Sequence, residues 1–110
     1  METKRTIDVT CPDCRGPITE VQIDDMLEYR CLVGHAYSAR SMLASHSETQ
    51  ERVLWSAVVA LEEGANLARI LAPQFPPAGA RKLEEQAASK MRQAAQIREI
   101  LEQLEPFQVE

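Results

Sequence analysis

Two short segments, "CPDC" at Cys11 to Cys14 and "CLVGH" at Cys31 to His35, restrict this chain more than anything else in it. Two thiolates separated by two residues can aim at one ion if the turn between them is tight, and Pro12 within the pair and Gly16 just after it favour such a turn. Sixteen residues separate Cys14 from Cys31, the length of one β-hairpin, so a hairpin would carry the second segment back to the first. Cys31 has no cysteine partner of its own. His35 supplies the fourth ligand, since neutral imidazole joins thiolates in Cys3His sites, and Gly34 can take the positive φ that turns the chain before it. The spacing predicts one zinc ion per chain on Cys11, Cys14, Cys31 and His35. Four protein ligands complete a tetrahedron, so the zinc is expected to be structural rather than catalytic.

Other uses of these residues are weaker. A thioredoxin-like redox pair at Cys11 and Cys14, with Cys31 a buried apolar residue, needs a βαβ context that is missing. A hydrolytic zinc would keep an open position beside a base, and Asp13 and Glu20 read as solvated surface. His46, eleven residues beyond His35, reads as an exposed or cap-region residue and not as a ligand.

The net charge of −5, from 12 Lys plus Arg against 17 Asp plus Glu, opposes nonspecific attraction to nucleic acid or an anionic membrane. The first 46 residues alone carry five basic against seven acidic side chains. No apolar run reaches the roughly 18 to 20 residues of a membrane span, and the first ten residues lack the apolar segment of a secretory signal. A cytoplasmic address follows, where thiols stay reduced and a CxxC pair reads as metal-binding before disulfide.

The grammar changes near residue 46. Before it, Ile7 and Val9 form a short alternating run, and strands are expected at about 18 to 23 and 26 to 31, joined by a tight turn at Asp24 and Asp25. Ser38 is a good N-cap for a short helix over 39 to 44. Ser47 with Gln50, and Ser45 with Glu48, make capping boxes for a new helix near 47. Leu54, Val58, Leu61, Ala65, Ala68 and Ala72 then step by threes and fours, until "APQFPPAG" ends the helix at about 72. Leu83, Ala87, Met91, Ala94, Ile97, Leu101 and Leu104 repeat the pattern over about 79 to 104. The expected fold is α+β, mostly α: a zinc-ribbon module with a short helix over 1-46, then a long antiparallel helical hairpin over 47-110.

The apolar residues of the first long helix cover more than half its circumference, too wide a face for one neighbour. A second copy closing a four-helix bundle, and hence a homodimer, is the expected cover. The i,i+4 pairs Glu48–Arg52, Arg81–Glu85 and Arg98–Glu102 read as a solvated outer face.

"TCPDCRGPI", "YRCLVGHAYSARSML", "ERVLWSAVVALEEGANLARIL" and "KLEEQAASKMRQAAQIREIL" together resemble the C-terminal zinc-ribbon and helical extension of bacterial chemotaxis-type protein-glutamate methylesterases. The resemblance runs from about Val9 to Leu101, and in that family the metal ligands fall on Cys11, Cys14, Cys31 and His35. It departs at the proline-rich "PQFPP" linker. The esterase domain's serine, histidine and aspartate have no counterparts, so the resemblance implies a stand-alone accessory module without esterase activity.

The chain carries no G-x-S-x-G elbow, phosphate loop or G-x-G-x-x-G motif. The expected function is therefore a non-enzymatic zinc-binding protein-protein interaction module, accessory to a bacterial chemotaxis-like system, with a signalling protein as partner. The alternative is a zinc-ribbon nucleic-acid-binding or transcription-related protein, against which the acidity of both halves stands.

Overall fold

The computed structural model describes residues 2–109. The elements run β1 (Glu2–Thr10), β2 (Pro17–Ile23), β3 (Met26–Cys31), β4 (Ala36–Tyr37), α1 (Ala39–Leu71), a single 3-10 turn (Ala72–Gln74) and α2 (Pro77–Gln103). They form an α+β fold with an antiparallel four-stranded sheet in sequential order, followed by two long helices. The chain divides into two compact units, one holding the residues up to Thr49 together with the tail from Glu105, the other Gln50–Leu104. Among the described residues no helix is long and apolar enough to cross a membrane.

In the first unit the hairpin is as its alternation predicts. Ile18 pairs with Cys31 and Ile23 with Met26, so Asp24 and Asp25 form a two-residue loop, and Asp24 takes φ 55°. Two strands exceed the expectation. β1 extends back to Glu2 and pairs with β2 from Glu2↔Ile23 to Thr10↔Pro17, with a bulge between Ile7 and Thr10. Its first five residues are all exposed, so neither of its faces leaves an apolar signature. β4 adds only two residues, aligned by Tyr29↔Tyr37 and Arg30↔Ala36.

Because partners across a sheet share a face, Ile7, Ile18 and Cys31 lie in one row and Arg5, Glu20, Tyr29 and Tyr37 in the next row of that face. Cys11, Ile18, Cys31 and Met42 form the buried cluster, with Ile7, Tyr29 and Tyr37 packed against it. Two of those four buried residues are cysteines. Such a core is thin for a sheet of this size.

The separate short helix over 39 to 44 is not observed, and neither is a new helix starting near 47. α1 is continuous from Ala39 to Leu71. Ser38 does cap its start, in a reciprocal box: the Ser41 amide donates to Ser38 Oγ at 3.1 Å and the Ser38 amide to Ser41 Oγ at 2.9 Å. The later hydroxyls have other work. Thr49 Oγ1 donates to the Ser45 carbonyl at 2.9 Å, four residues back, and Ser47 Oγ accepts the Phe107 amide at 2.9 Å. With no Gly or Pro between 39 and 50, extending a helix avoids the cost of nucleating a second one. The Phe107 bond and that from Arg40 to the Val109 carbonyl, at 3.2 Å, tie the tail to the first unit. The unit boundary therefore falls after Thr49, and the residues from Glu105 do not belong with the hairpin, as the 47-110 division had it.

In the second unit the helices are antiparallel, as Glu62 with Arg98 and Arg69 with Glu84 show. Arg98 reaches across to Glu62 with Nε and Nη2 instead of pairing along its own helix with Glu102. Pro77 stands in the first turn of α2, where its missing N–H costs nothing. The seam is narrower than its sequence pattern. Full burial is confined to Val58 and Ala65 on α1, Ala72 in the turn that follows it, and Ala87 and Ala94 on α2, successive members of each set seven residues apart. Side chains this small allow the helix axes to approach to about 8 Å, the near end of the usual range. Ala65→Leu is expected to lower stability by about 1–3 kcal/mol through overpacking, read as a fall in the urea midpoint for loss of helical circular dichroism.

Candidate metal centre

Each of the four predicted ligands sits at the end of a strand or in the turn beyond it. Cys11 follows β1 and begins a tight turn in which the Arg15 amide donates to the Cys11 carbonyl at 2.8 Å and the Cys11 amide to the Gly16 carbonyl at 2.7 Å. The left-handed residue of this turn is Arg15, at φ 65°, not Gly16. Cys31 ends β3. The chain then reverses through Leu32 and Val33, with the Gly34 amide donating to the Cys31 carbonyl at 3.2 Å and the Cys31 amide to the His35 carbonyl at 3.1 Å. Gly34 takes φ 108°, a conformation closed to residues with a Cβ, in agreement with its expected role.

These two turns bring the three sulfurs and a ring nitrogen of His35 to within 4.8 Å of one another. None of the cysteines is in a disulfide. His35 Nδ1 lies 3.2 Å from Cys31 Sγ and 3.6 Å from Cys11 Sγ. Bonds of about 2.3 Å to sulfur and about 2.0–2.1 Å to nitrogen give a tetrahedral zinc S···N edges of about 3.5 Å and S···S edges of about 3.8 Å. The donor set and its dimensions therefore fit one metal ion, and three thiolates with an imidazole suit zinc. Cys31, which a redox reading leaves as an apolar residue, turns its sulfur toward His35.

The surroundings favour thiolate at Cys31 and Cys11. The His35 amide points at Cys31 Sγ at 3.3 Å. Burial pushes the Cys31 thiol up, but the His35 and Val33 amides with the Cys14 and His35 side chains outweigh it and hold it at about 6. Burial likewise raises Cys11, and the Tyr37 hydroxyl with the Cys14 and Asp13 amides brings it below the usual thiol range. For Cys14 the Gly16 amide pulls downward, but desolvation and the neighbouring sulfurs of Cys31 and Cys11 leave it raised. His35 is raised by its contacts with Cys31 and Cys11.

One supporting contact has no signal in the ligand spacing. Tyr37, on β4, places its hydroxyl 3.4 Å from Cys11 Sγ and donates to the Asp13 carboxylate within the first turn. It thereby ties the strand after His35 to the loop between Cys11 and Cys14. The hint was only that Tyr37 stands two residues beyond His35, on the same side of an extended segment. Glu20 is likewise engaged, accepting from the Tyr29 hydroxyl at 3.1 Å and pairing with Arg5. His46 lies outside the cluster, within α1 and half-buried instead of exposed, its Nε2 buried with no hydrogen-bond partner among the described residues.

Comparison with family models, with curated proteins and with solved structures returns no match.

Three outcomes test this centre and its turns. Metal enters as protons leave, and the Cys14 thiol, raised above its ordinary value by desolvation and the neighbouring sulfurs, must lose one to bind. The apparent zinc affinity should fall at least tenfold for each unit the pH drops below 7, measured by competition with a chromogenic chelator. Tyr37→Phe removes the hydroxyl beside Cys11 and should weaken zinc binding by about 10-fold or more. Gly34→Ala meets nothing within 4 Å of its new Cβ, so its loss of about 1–3 kcal/mol would report backbone strain alone.

Proposed function

We propose that this chain is a non-enzymatic, zinc-stabilised protein-protein interaction module that works in the cytoplasm as an accessory of a bacterial chemotaxis-like signalling system. The observation that carries the reading is the convergence of Cys11, Cys14, Cys31 and His35 into one set of four donors. Zinc held by all four has no position left for water or substrate, which suits a structural ion. Its contribution is folding free energy, on the order of 10 kcal/mol in small zinc modules near neutral pH.

The interaction half of the reading is supported by the second turn. Leu32 and Val33 are 87% and 75% exposed beside the metal ligands. Apolar side chains held out from a turn that the metal stiffens are suited to contact another protein. The cytoplasmic placement is supported by three thiols outside any disulfide. The signalling context rests on the resemblance to the methylesterase extension, and a chemoreceptor-pathway protein is the partner it implies. The acidity of the chain speaks against nucleic acid.

Native mass spectrometry in zinc-containing buffer should show one zinc per chain, and cobalt should give the absorption of a tetrahedral thiolate site. A chelator should abolish the fixed environment of Tyr29 and Tyr37, seen by near-ultraviolet circular dichroism, while most helical signal persists. Isothermal titration of the zinc-loaded chain against a chemoreceptor cytoplasmic domain and its adaptation enzymes tests the partner. A metal-free chain, hydrolysis of methylated receptor, or binding to DNA at low salt in place of these proteins would overturn the reading.

A further inference from the structure

The three sulfurs of the metal centre are not equally sheltered. Cys11 and Cys31 are buried, whereas Cys14 is exposed. Tyr37 packs against the buried pair and sets its hydroxyl 3.4 Å from Cys11 Sγ, and the His35 amide stands 3.3 Å from Cys31 Sγ. Beside Cys14 the chain offers a glycine. A Cβ at position 16 would lie 3.5 Å from Cys14 Sγ, an ordinary contact distance, so Gly16 leaves that side of the sulfur bare.

Cys11 and Cys14 also share one tight turn, in which the Arg15 amide donates to the Cys11 carbonyl at 2.8 Å. The ends of a four-residue turn lie within about 7 Å at their α-carbons, a span that a disulfide bridges. The two sulfurs already lie within 4.8 Å of each other. An accessible thiolate with a second thiolate in reach is the arrangement of a redox-responsive cysteine and its resolving partner.

We propose that this centre is a peroxide-responsive switch, in which a hydroperoxide oxidises Cys14 and Cys11 to a disulfide and the metal shared by the two turns is released. The proposal rests on the zinc reading above. Cys14 Sγ, deprotonated as a metal ligand must be, attacks one oxygen of the peroxide. The O–O bond breaks, and the departing oxygen takes the bonding pair and a proton, leaving as water when the oxidant is hydrogen peroxide. Cys14 now carries S–OH. The Cys11 thiolate attacks Cys14 Sγ, the S–S bond forms, and the S–O bond breaks to release hydroxide, which a second proton converts to water. Two thiolates have lost two electrons, and the peroxide has gained them.

The choice of pair decides the consequence. A Cys11–Cys14 bridge lies within one turn, so Cys31 and His35 in the other turn remain as two donors, short of the four a structural zinc takes. The tie between the end of β1 and the end of β3 is lost, and the thin buried cluster of the sheet loosens. A dithiol reductant with added zinc restores both.

The test adds hydrogen peroxide in molar excess to the full zinc-loaded chain. Zinc release is read with a chromogenic chelator, the disulfide by peptide mapping, and the surroundings of Tyr29 and Tyr37 by near-ultraviolet circular dichroism. One zinc should leave for each Cys11–Cys14 bridge formed, with loss of the tyrosine signal, and dithiothreitol with zinc should reverse all three. Brief iodoacetamide treatment of the loaded chain should label Cys14 ahead of Cys11 and Cys31. Gly16→Ala, which keeps all four donors, should cover the bare side of the sulfur and slow zinc release by about threefold or more. Zinc release without a Cys11–Cys14 bridge, or with a Cys14–Cys31 bridge that keeps the turns joined, would overturn the proposal. So would labelling that spares Cys14, or a Gly16→Ala chain that releases zinc at the unaltered rate. A chain without zinc in the native mass spectrum before peroxide is added defeats the zinc reading; a loaded chain that keeps its zinc in peroxide defeats the switch alone.

Discussion

Four donor atoms from two turns converge in the first unit, and the stability of that unit would depend on a metal they share. The buried cluster contains only two hydrocarbon or thioether side chains, Ile18 and Met42, beside Cys11 and Cys31. Hydrophobic burial on that scale does not offset the entropy of ordering four strands. A metal shared by Cys11, Cys14, Cys31 and His35 would join the end of β1 to the end of β3 and so fix both outer edges of β2. The row from Arg5 through Glu20 and Tyr29 to Tyr37 then continues the same tie on one face of the sheet. Tyr37 is the member of that row that also reaches the site, through Cys11 and Asp13.

The second unit is held by a different physics. Small residues at every seventh position let two helices approach, and Arg98 with Glu62 and Arg69 with Glu84 set their register. The exposed ion pairs add little free energy, but they select one alignment over its neighbours. Arg98 serves twice, pairing with Glu62 and covering one face of Trp55. The inner seam of α1 is thereby satisfied within the chain, while Trp55, Val59, Leu67 and Ile70 stay exposed.

Much of this was legible in the residues. The four candidate donors could be named because metal geometry demands local spacing, and local spacing is what a sequence displays. Gly34 was legible for the same reason, since a turn that requires positive φ leaves few candidates. The hairpin turn at Asp24 and Asp25 and the stops at the prolines follow from equally local rules. The misses are of another kind. The first residues of β1 bury nothing, so alternation cannot reveal them. Arg15 adopts the left-handed conformation expected of a glycine because the hydrogen bonds of its turn hold it there. The serines at 45 and 47 resemble a helix start, yet the Ser45 carbonyl accepts from Thr49 one turn on inside a continuous helix, and Ser47 Oγ accepts the Phe107 amide of the returning tail.

By itself the sequence determined the four donors, the hairpin between them, the amphipathic helices and the proline breaks, all of which depend on residues within a few positions of one another. Tertiary structure alone decided that α1 runs unbroken past Ser47, that the tail joins the first unit at Ser47 and Arg40, and that Tyr37 supports Cys11. It also decided which of the apolar positions of α1 are spent inside the hairpin and which stay on its surface. Those outcomes turn on partners distant along the chain, whose competition for the same hydrogen bonds and the same apolar area is settled only when the backbone brings them together.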